Sequence, residues 1–152
     1  MKNMKKNVLI LFSMLIVTFC FAQNSQKISE ILETEEISKG QASYFVCVYN
    51  SFSEEDLSEN ESFDFLCEKS FFDESENSDE KISLSKACFL IGKSANMKGG
   101  IFYSIFKSPR YAFREFKSLG ILPQNVEPNQ TVSGTEFIAL LNGFEKNAKK
   151  GD

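Results

Sequence analysis

The segment VSGTEFIALL at residues 132–141 sets the pattern of the chain, and ISKGQASYFV at 37–46 and ISLSKACFLI at 82–91 repeat it. Each segment opens with a β-branched residue and a serine, then has apolar residues at its sixth, ninth and tenth positions. Serine is a favoured N-cap, and Gln41 and Glu136 complete capping boxes in the first and third segments. The spacing of the three segments is typical of repeated supersecondary units. Each segment is therefore predicted to begin a helix.

A second helix is predicted before the third segment. Ser108 and Pro109 are typical of an N-cap and a first helical position, and Gly120 is typical of the residue beyond a helix end. The buried stripe predicted between them consists of Ala112, Phe113, Phe116 and Leu119. A fainter version at residues 63–71 precedes the second segment. The predicted fold class is mainly α, with helix-loop-helix repeats.

The first 22 residues have the organisation of a secretory signal peptide. A basic segment up to Asn7 precedes an apolar run from Val8 to Phe21, and Ala22 ends a small-residue cleavage site. The run is too short for a comfortable membrane span, so no stable span is expected after cleavage. Export to the periplasm or cell envelope is predicted. Lipid attachment at Cys20 and an uncleaved anchor are the alternatives.

The rest of the chain has the length of one domain. The predicted divisions are a signal peptide at 1–22, a linker at 23–36, a helical domain at 37–146 and a tail at 147–152. The repeats within the domain are placed near 37–52, 63–98 and 108–146. Cys47, Cys67 and Cys88 allow at most one internal disulfide, and three reduced thiols are the other possibility.

Charge is segregated along the chain. Cleavage would remove three of the 17 basic residues and leave 14 against 21 acidic ones, a net charge of −7 that makes nucleic acid a poor partner. Residues 53–80 contain twelve acids and one base, whereas residues 93–117 contain six bases and one acid. The acidic stretch is interpreted as a solvated face. The basic stretch is the candidate for binding.

Residues 111–144 resemble an S-layer homology motif. They are interpreted as a helix, the sequence LGIL at 119–122, a loop ending in VEP at 126–128, and the helix start VSGTEFIALL. The resemblance implies that three such motifs pack as a three-fold helical bundle and anchor an exported protein to cell-wall polymers. Lys39, Leu84 and Gly134 stand where that family has a polymer-binding arginine. The residues from Gly99 to Glu115 also resemble small exported spirochaete proteins of unassigned role.

A binding site is predicted in the basic stretch. Guanidinium groups suit carboxylate or phosphate, and aromatic faces suit sugar rings. The candidate residues are Lys107, Arg110, Arg114, Lys117, Tyr103 and Tyr111. The alternative is an ordinary solvated helix face, paired with the acidic stretch of the same chain.

Catalysis is not predicted. The absence of histidine excludes Ser-His-Asp and Cys-His sites. Ser83 and Lys86 form an S-x-x-K pattern, but the serine aligns with the predicted capping serines. An EF-hand over residues 73–84 would need glycine at Ser78 and glutamate at Leu84. No cofactor or metal is expected, with weak calcium binding to this loop as the alternative.

The sequence therefore predicts a non-catalytic, exported envelope-binding module. Its expected partner is an anionic cell-wall polymer or an envelope protein. A protein-protein adaptor without affinity for glycan is the alternative.

Overall fold

The computed structural model describes residues 26–53, 57–73 and 75–149. The predicted signal peptide and its cleavage site lie outside these residues. Contacts divide the chain into two compact units, one ending at Leu32 and the other beginning at Glu33. The described part of the first unit is helix α1 at residues 26–32, which falls within the predicted linker. The second unit begins before the predicted domain boundary at Ile37.

The second unit is built from helices, as the sequence predicts. They are α2 (Lys39–Asn50), α3 (Glu59–Glu68), α4 (Leu84–Ser94), α5 (Ile101–Phe106), α6 (Pro109–Ser118) and α7 (Gly134–Ala148). Two isolated β-bridges, Ser38 with Lys81 and Ser83 with Thr131, are the extended pairings that the described residues make. The mainly α fold class is confirmed.

The three repeated serines begin helices as predicted. The hydroxyls of Ser38, Ser83 and Ser133 accept hydrogen bonds from the third residue of α2, α4 and α7, at 3.1, 3.3 and 3.2 Å. Gln41 and Glu136 close the first and third capping boxes. The local signal that defines the repeats is therefore a structural one.

The apolar positions of the three segments form the centre of the core. Every one of these residues is buried: Ile37, Ala42, Phe45, Val46, Ile82, Ala87, Leu90, Ile91, Val132, Phe137, Leu140 and Leu141. Phe45 of α2 stacks on Phe137 of α7, with ring centroids 5.9 Å apart. Burial of these side chains from three helices supplies much of the free energy that stabilises the unit.

Backbone hydrogen bonds join the three helix starts in a ring. The first residue of each helix donates its backbone N–H to a carbonyl in a loop of another repeat. Helix α2 donates to the loop before α4, α4 donates to the loop before α7, and α7 donates to the segment before α2. The distances are 2.8 Å from Lys39 to Glu80, 2.8 Å from Leu84 to Gln130 and 3.0 Å from Gly134 to Thr34. Each bond satisfies an N–H that the helix itself leaves unpaired. The three repeats therefore meet at their helix N-termini.

Each connecting helix packs against the preceding repeat: α3 against α2, and α6 against α4. After each connecting helix the chain turns at a residue with left-handed backbone. This residue is Ser70 after α3, with φ 61°, and Gly120 after α6, with φ 70°. This left-handed turn, which glycine adopts without steric cost, lets the chain reverse after the helix.

The structure corrects three predictions about element limits. Leu119, expected in the buried stripe of α6, is the C-cap and is 42% exposed. The helix predicted from residue 63 begins at Glu59, and α7 continues to Ala148, into the predicted tail. Helix α5 has no counterpart in the sequence analysis. It is held between Gly99, with φ 50°, and Lys107, with φ 39°.

Candidate functional site

Arg110 and Arg114 lie one turn apart on the exposed face of α6, as predicted. Neither guanidinium group makes an ion pair or hydrogen bond with any residue in the described part of the chain. Two neighbouring guanidinium groups repel one another unless an anion lies near both. The pair is therefore a candidate anion site.

The two arginines line one shallow cleft, with a volume of about 610 Å³. Its other lining residues are Ser85, Pro109, Phe113, Pro128 and Asn129. The walls are fixed by the backbone, because the Ser85 N–H donates to the Pro128 carbonyl at 2.9 Å. The cleft thus lies where the third repeat meets the second. It combines two cations with the apolar surface of Phe113 and proline.

Lys117 has a structural role instead. Its Nζ donates to the carbonyl oxygens of Gln124 and Val126, at 2.9 and 3.0 Å, and lies 4.6 Å from the Phe113 ring centroid. These contacts tie the loop after α6 back onto the helix. Lys117 is therefore engaged by the fold and is not available to a ligand in the way Arg110 and Arg114 are.

The other three predicted residues cluster around α5. Lys107 is exposed at its C-cap. Tyr111 stacks between Phe102 and Phe106, with centroid distances of 5.8 and 5.3 Å. Tyr103 is only 2% exposed, so it cannot present its ring to a ligand on this surface. Burial, with a smaller contribution from the charge of Glu115, raises the pKa of Tyr103 above its ordinary value.

The acidic loop before α4 is used within the fold. Glu76 accepts hydrogen bonds from Lys39 at 2.8 Å and from Lys86 at 2.6 Å, and Lys39 also pairs with Glu80. Burial works to raise the pKa of Glu76, but the hydrogen bonds from the two lysines outweigh it and hold that pKa below its ordinary value. The cluster joins the first repeat to the second.

The same cluster opposes a catalytic role for Ser83. Its hydroxyl caps α4 and lies 3.3 Å from the Ser85 hydroxyl, while the Lys86 ammonium binds Glu76. The Lys86 side chain is therefore directed to Glu76, and it is the Lys86 backbone N–H that contacts the Ser83 hydroxyl. That the chain is not an enzyme stays a prediction.

Metal binding gains no support from the described residues, which contain no group of three His, Cys, Asp or Glu side chains placed to hold an ion. Cys47, Cys67 and Cys88 are free thiols. Burial raises the pKa of the Cys88 thiol, which makes it a poor nucleophile and a poor ligand. Cys47 and Cys88 are buried and Cys67 is partly exposed, and the redox state of the three in the exported protein stays a prediction.

The geometry defines a small, mainly α domain of three joined helix starts, with a cleft lined by Arg110 and Arg114 between two repeats. No protein-family model, curated protein or solved structure matches the chain. In the described ranges, no helix is long and apolar enough to cross a membrane.

One surface was missed by the sequence analysis. Helix α5 has exposed apolar residues at 101, 102, 105 and 106. Their i, i+1, i+4, i+5 spacing is the available signal, but a six-residue helix is too short for periodicity to be decisive.

Proposed function

We propose that the chain is a non-catalytic exported module that binds an anionic polymer of the cell envelope through Arg110 and Arg114. The observation that carries this proposal is that two guanidinium groups line one cleft without a partner among the described residues. Three other cations are engaged within the fold: Lys39 and Lys86 by Glu76, and Lys117 by loop carbonyls. Neither guanidinium group pairs with an acid among the described residues, although the chain has more acidic than basic residues.

The resemblance to the S-layer homology family belongs to the same proposal. The ring of backbone hydrogen bonds among the helix starts, and the repeated placement of α3 on α2 and α6 on α4, support a three-fold packing of related motifs. The cleft lies at a junction between two repeats. Arginines from α6 line it, whereas Leu84 and Gly134 stand where that family places its arginine.

The test is co-sedimentation of the exported protein with purified envelope material at low and high salt. The double variant Arg110→Gln/Arg114→Gln removes both charges and keeps helix propensity at two exposed positions, so the free energy of unfolding should not change. Retention should fall on the order of tenfold, the effect expected for two charge-assisted contacts. Added salt should weaken retention of the parent protein through screening.

The matched control is Lys146→Gln/Lys149→Gln, which removes the same charge from the end of α7. It should retain the parent's binding, apart from a small general electrostatic loss. Unchanged, salt-insensitive retention in the arginine variant would remove the cleft from the site. If no protein is retained, the proposal fails and the adaptor alternative is favoured.

A further inference from the structure

Helix α5 presents an apolar face to solvent. Its exposed side chains are Ile101 at 77%, Phe102 at 60%, Ile105 at 67% and Phe106 at 57%. The other large apolar side chains exposed on the described chain, Val48, Tyr49 and Leu119, reach at most 48%. Four such residues on a helix of six form a concentrated apolar surface of the kind that marks an interaction site.

Helix α5 is anchored to the rest of the unit by contacts with α6 and by a buried tyrosine. Tyr103, in the middle of α5, is buried, and Phe102 and Phe106 both stack on Tyr111 of α6. Ser104 donates from its hydroxyl to the Lys98 carbonyl at 2.8 Å, which fixes the preceding segment beside the helix. The exposed side chains are therefore displayed on an anchored helix.

Cations flank this face at both ends. Lys98 precedes α5 and Lys107 caps it, and both are exposed. Neither side-chain ammonium group makes a hydrogen bond or ion pair with a described residue. Both ammonium groups are exposed, in a chain whose net charge is −4. Lys98 and Lys107 thus place a positive charge at each end of the apolar face, and the Glu115 carboxylate lies beside Gly100 at the N-terminal end.

We infer that α5 docks on a lipid bilayer surface that carries anionic headgroups. Ile101, Phe102, Ile105 and Phe106 enter the boundary between headgroups and acyl chains, where apolar side chains leave water. Lys98 and Lys107 contact the headgroup phosphates on either side. A short apolar helix between cations is an arrangement suited to the membrane interface, and six residues are far too few to span it. This surface is separate from the arginine cleft.

The experiment uses the exported protein after secretion, with its N-terminus established by intact mass. It is sedimented with vesicles of phosphatidylcholine alone, and with vesicles that also contain phosphatidylglycerol. The key variant is Ile101→Gln/Ile105→Gln, which leaves the stacked rings of α5 and α6 untouched. The matched control, Val48→Gln/Leu119→Gln, removes exposed apolar side chains elsewhere. All variants share one N-terminus, so any contribution of that segment cancels.

The parent should bind phosphatidylglycerol vesicles more tightly than neutral ones, and salt should reduce the difference. The isoleucine variant should lose binding by on the order of tenfold, since it loses most of two apolar side chains. The Val48/Leu119 control should bind like the parent. The isoleucine variant should also keep its retention on envelope polymer, whereas Arg110→Gln/Arg114→Gln should lose that retention. Failure of this inference and failure of the polymer proposal are therefore distinguishable.

Equal vesicle binding by the parent and the isoleucine variant would overturn the inference, as would a parent that binds no vesicles. Two specific results would replace it. Concentration-dependent dimers in sedimentation velocity, lost in the isoleucine variant, would assign the face to a second copy of the chain. Crosslinking of α5 to an envelope protein, without vesicle binding, would assign it to a protein partner.

Discussion

The repeat at residues 58–94 and the repeat at residues 108–144 share one backbone plan and differ in surface chemistry. Ser58 corresponds to Ser108 and Ser83 to Ser133, a constant offset of 50. Both repeats have a helix, a left-handed turn, a loop and a capped second helix. The apolar stripe and the caps thus suffice for the fold, and the outward positions are free to diverge.

The divergence is clearest where each connecting helix meets the preceding repeat. In the earlier repeat, Ser78 donates from its hydroxyl to Asn60 at 2.8 Å, so the two side chains satisfy each other. In the later repeat the same positions are Pro128 and Arg110, which line the open cleft. Proline offers no side-chain partner, and the Arg110 guanidinium has no partner among the described residues, which is the basis for the proposed anion site.

Core substitutions at equivalent positions should have the largest effects. Leu66 in α3 and Phe116 in α6 are both fully buried. We expect Phe116→Ala to cost about 3–5 kcal/mol and Leu66→Ala about 2–5 kcal/mol in free energy of unfolding, measured by urea denaturation. Leu119→Ala, at the exposed C-cap, is the control and should cost well under about 1 kcal/mol. A Phe116→Ala cost no larger than the control would break the equivalence of the two stripes.

The next effect distinguishes the two loops. Glu76→Gln removes the carboxylate that joins Lys39 and Lys86, whereas the later loop has Val126 at that position. We expect a loss of about 2 kcal/mol at neutral pH, the value of charge-assisted hydrogen bonds. Glu127→Gln, an exposed acid of the later loop, is the control and should change stability little.

The pH dependence of the stability difference between the parent and Glu76→Gln tests whether the carboxylate charge is responsible for it. The pKa of Glu76 is lowered in the folded state, so its stabilisation is complete above the ordinary glutamate pKa of about 4.3 and is lost as pH falls through the lowered value. The stability difference between the parent and Glu76→Gln should therefore shrink on acidification. Denaturation curves at neutral and acidic pH measure it. A difference that stays constant would show that the carboxylate charge is not the cause.

Local sequence rules predicted the helix starts well. Ser38, Ser83 and Ser133 were recognisable because a cap is decided within four residues, and the apolar spacing after each serine identified the core face. The fold class followed from those two signals. The hydrogen-bond ring could not be predicted, because it joins residues as distant as Thr34 and Gly134.

The candidate site was predicted only in part, for the same reason. The exposure of Arg110 and Arg114 follows from helix periodicity. Lys117 and Tyr103 belong to the same basic and aromatic stretch, but the fold uses both of them. Lys117 binds the loop carbonyls of Gln124 and Val126, and Tyr103 is buried by the packing around α5. Composition shows which side chains could bind a ligand. Tertiary contacts decide which of them remain free.

Substitutions at the left-handed turn should have the smallest effect on stability. They test the equivalence of the two repeats most sharply, because the stability change should have opposite signs in the two. Ser70 and Gly120 occupy the same left-handed turn. Left-handed backbone costs a non-glycine residue about 1 kcal/mol, while glycine costs about 0.5–1 kcal/mol in unfolded-chain entropy. Ser70→Gly should therefore stabilise by only a few tenths of a kcal/mol, and Gly120→Ser should destabilise by about as much.

A side chain at Gly120 would meet open space, so clashes with neighbouring residues do not contribute to the effect. Urea denaturation of both variants measures the signs, with Ser70→Ala as control for the hydroxyl. Loss of stability in both would mean that Ser70 makes a contribution that its counterpart does not.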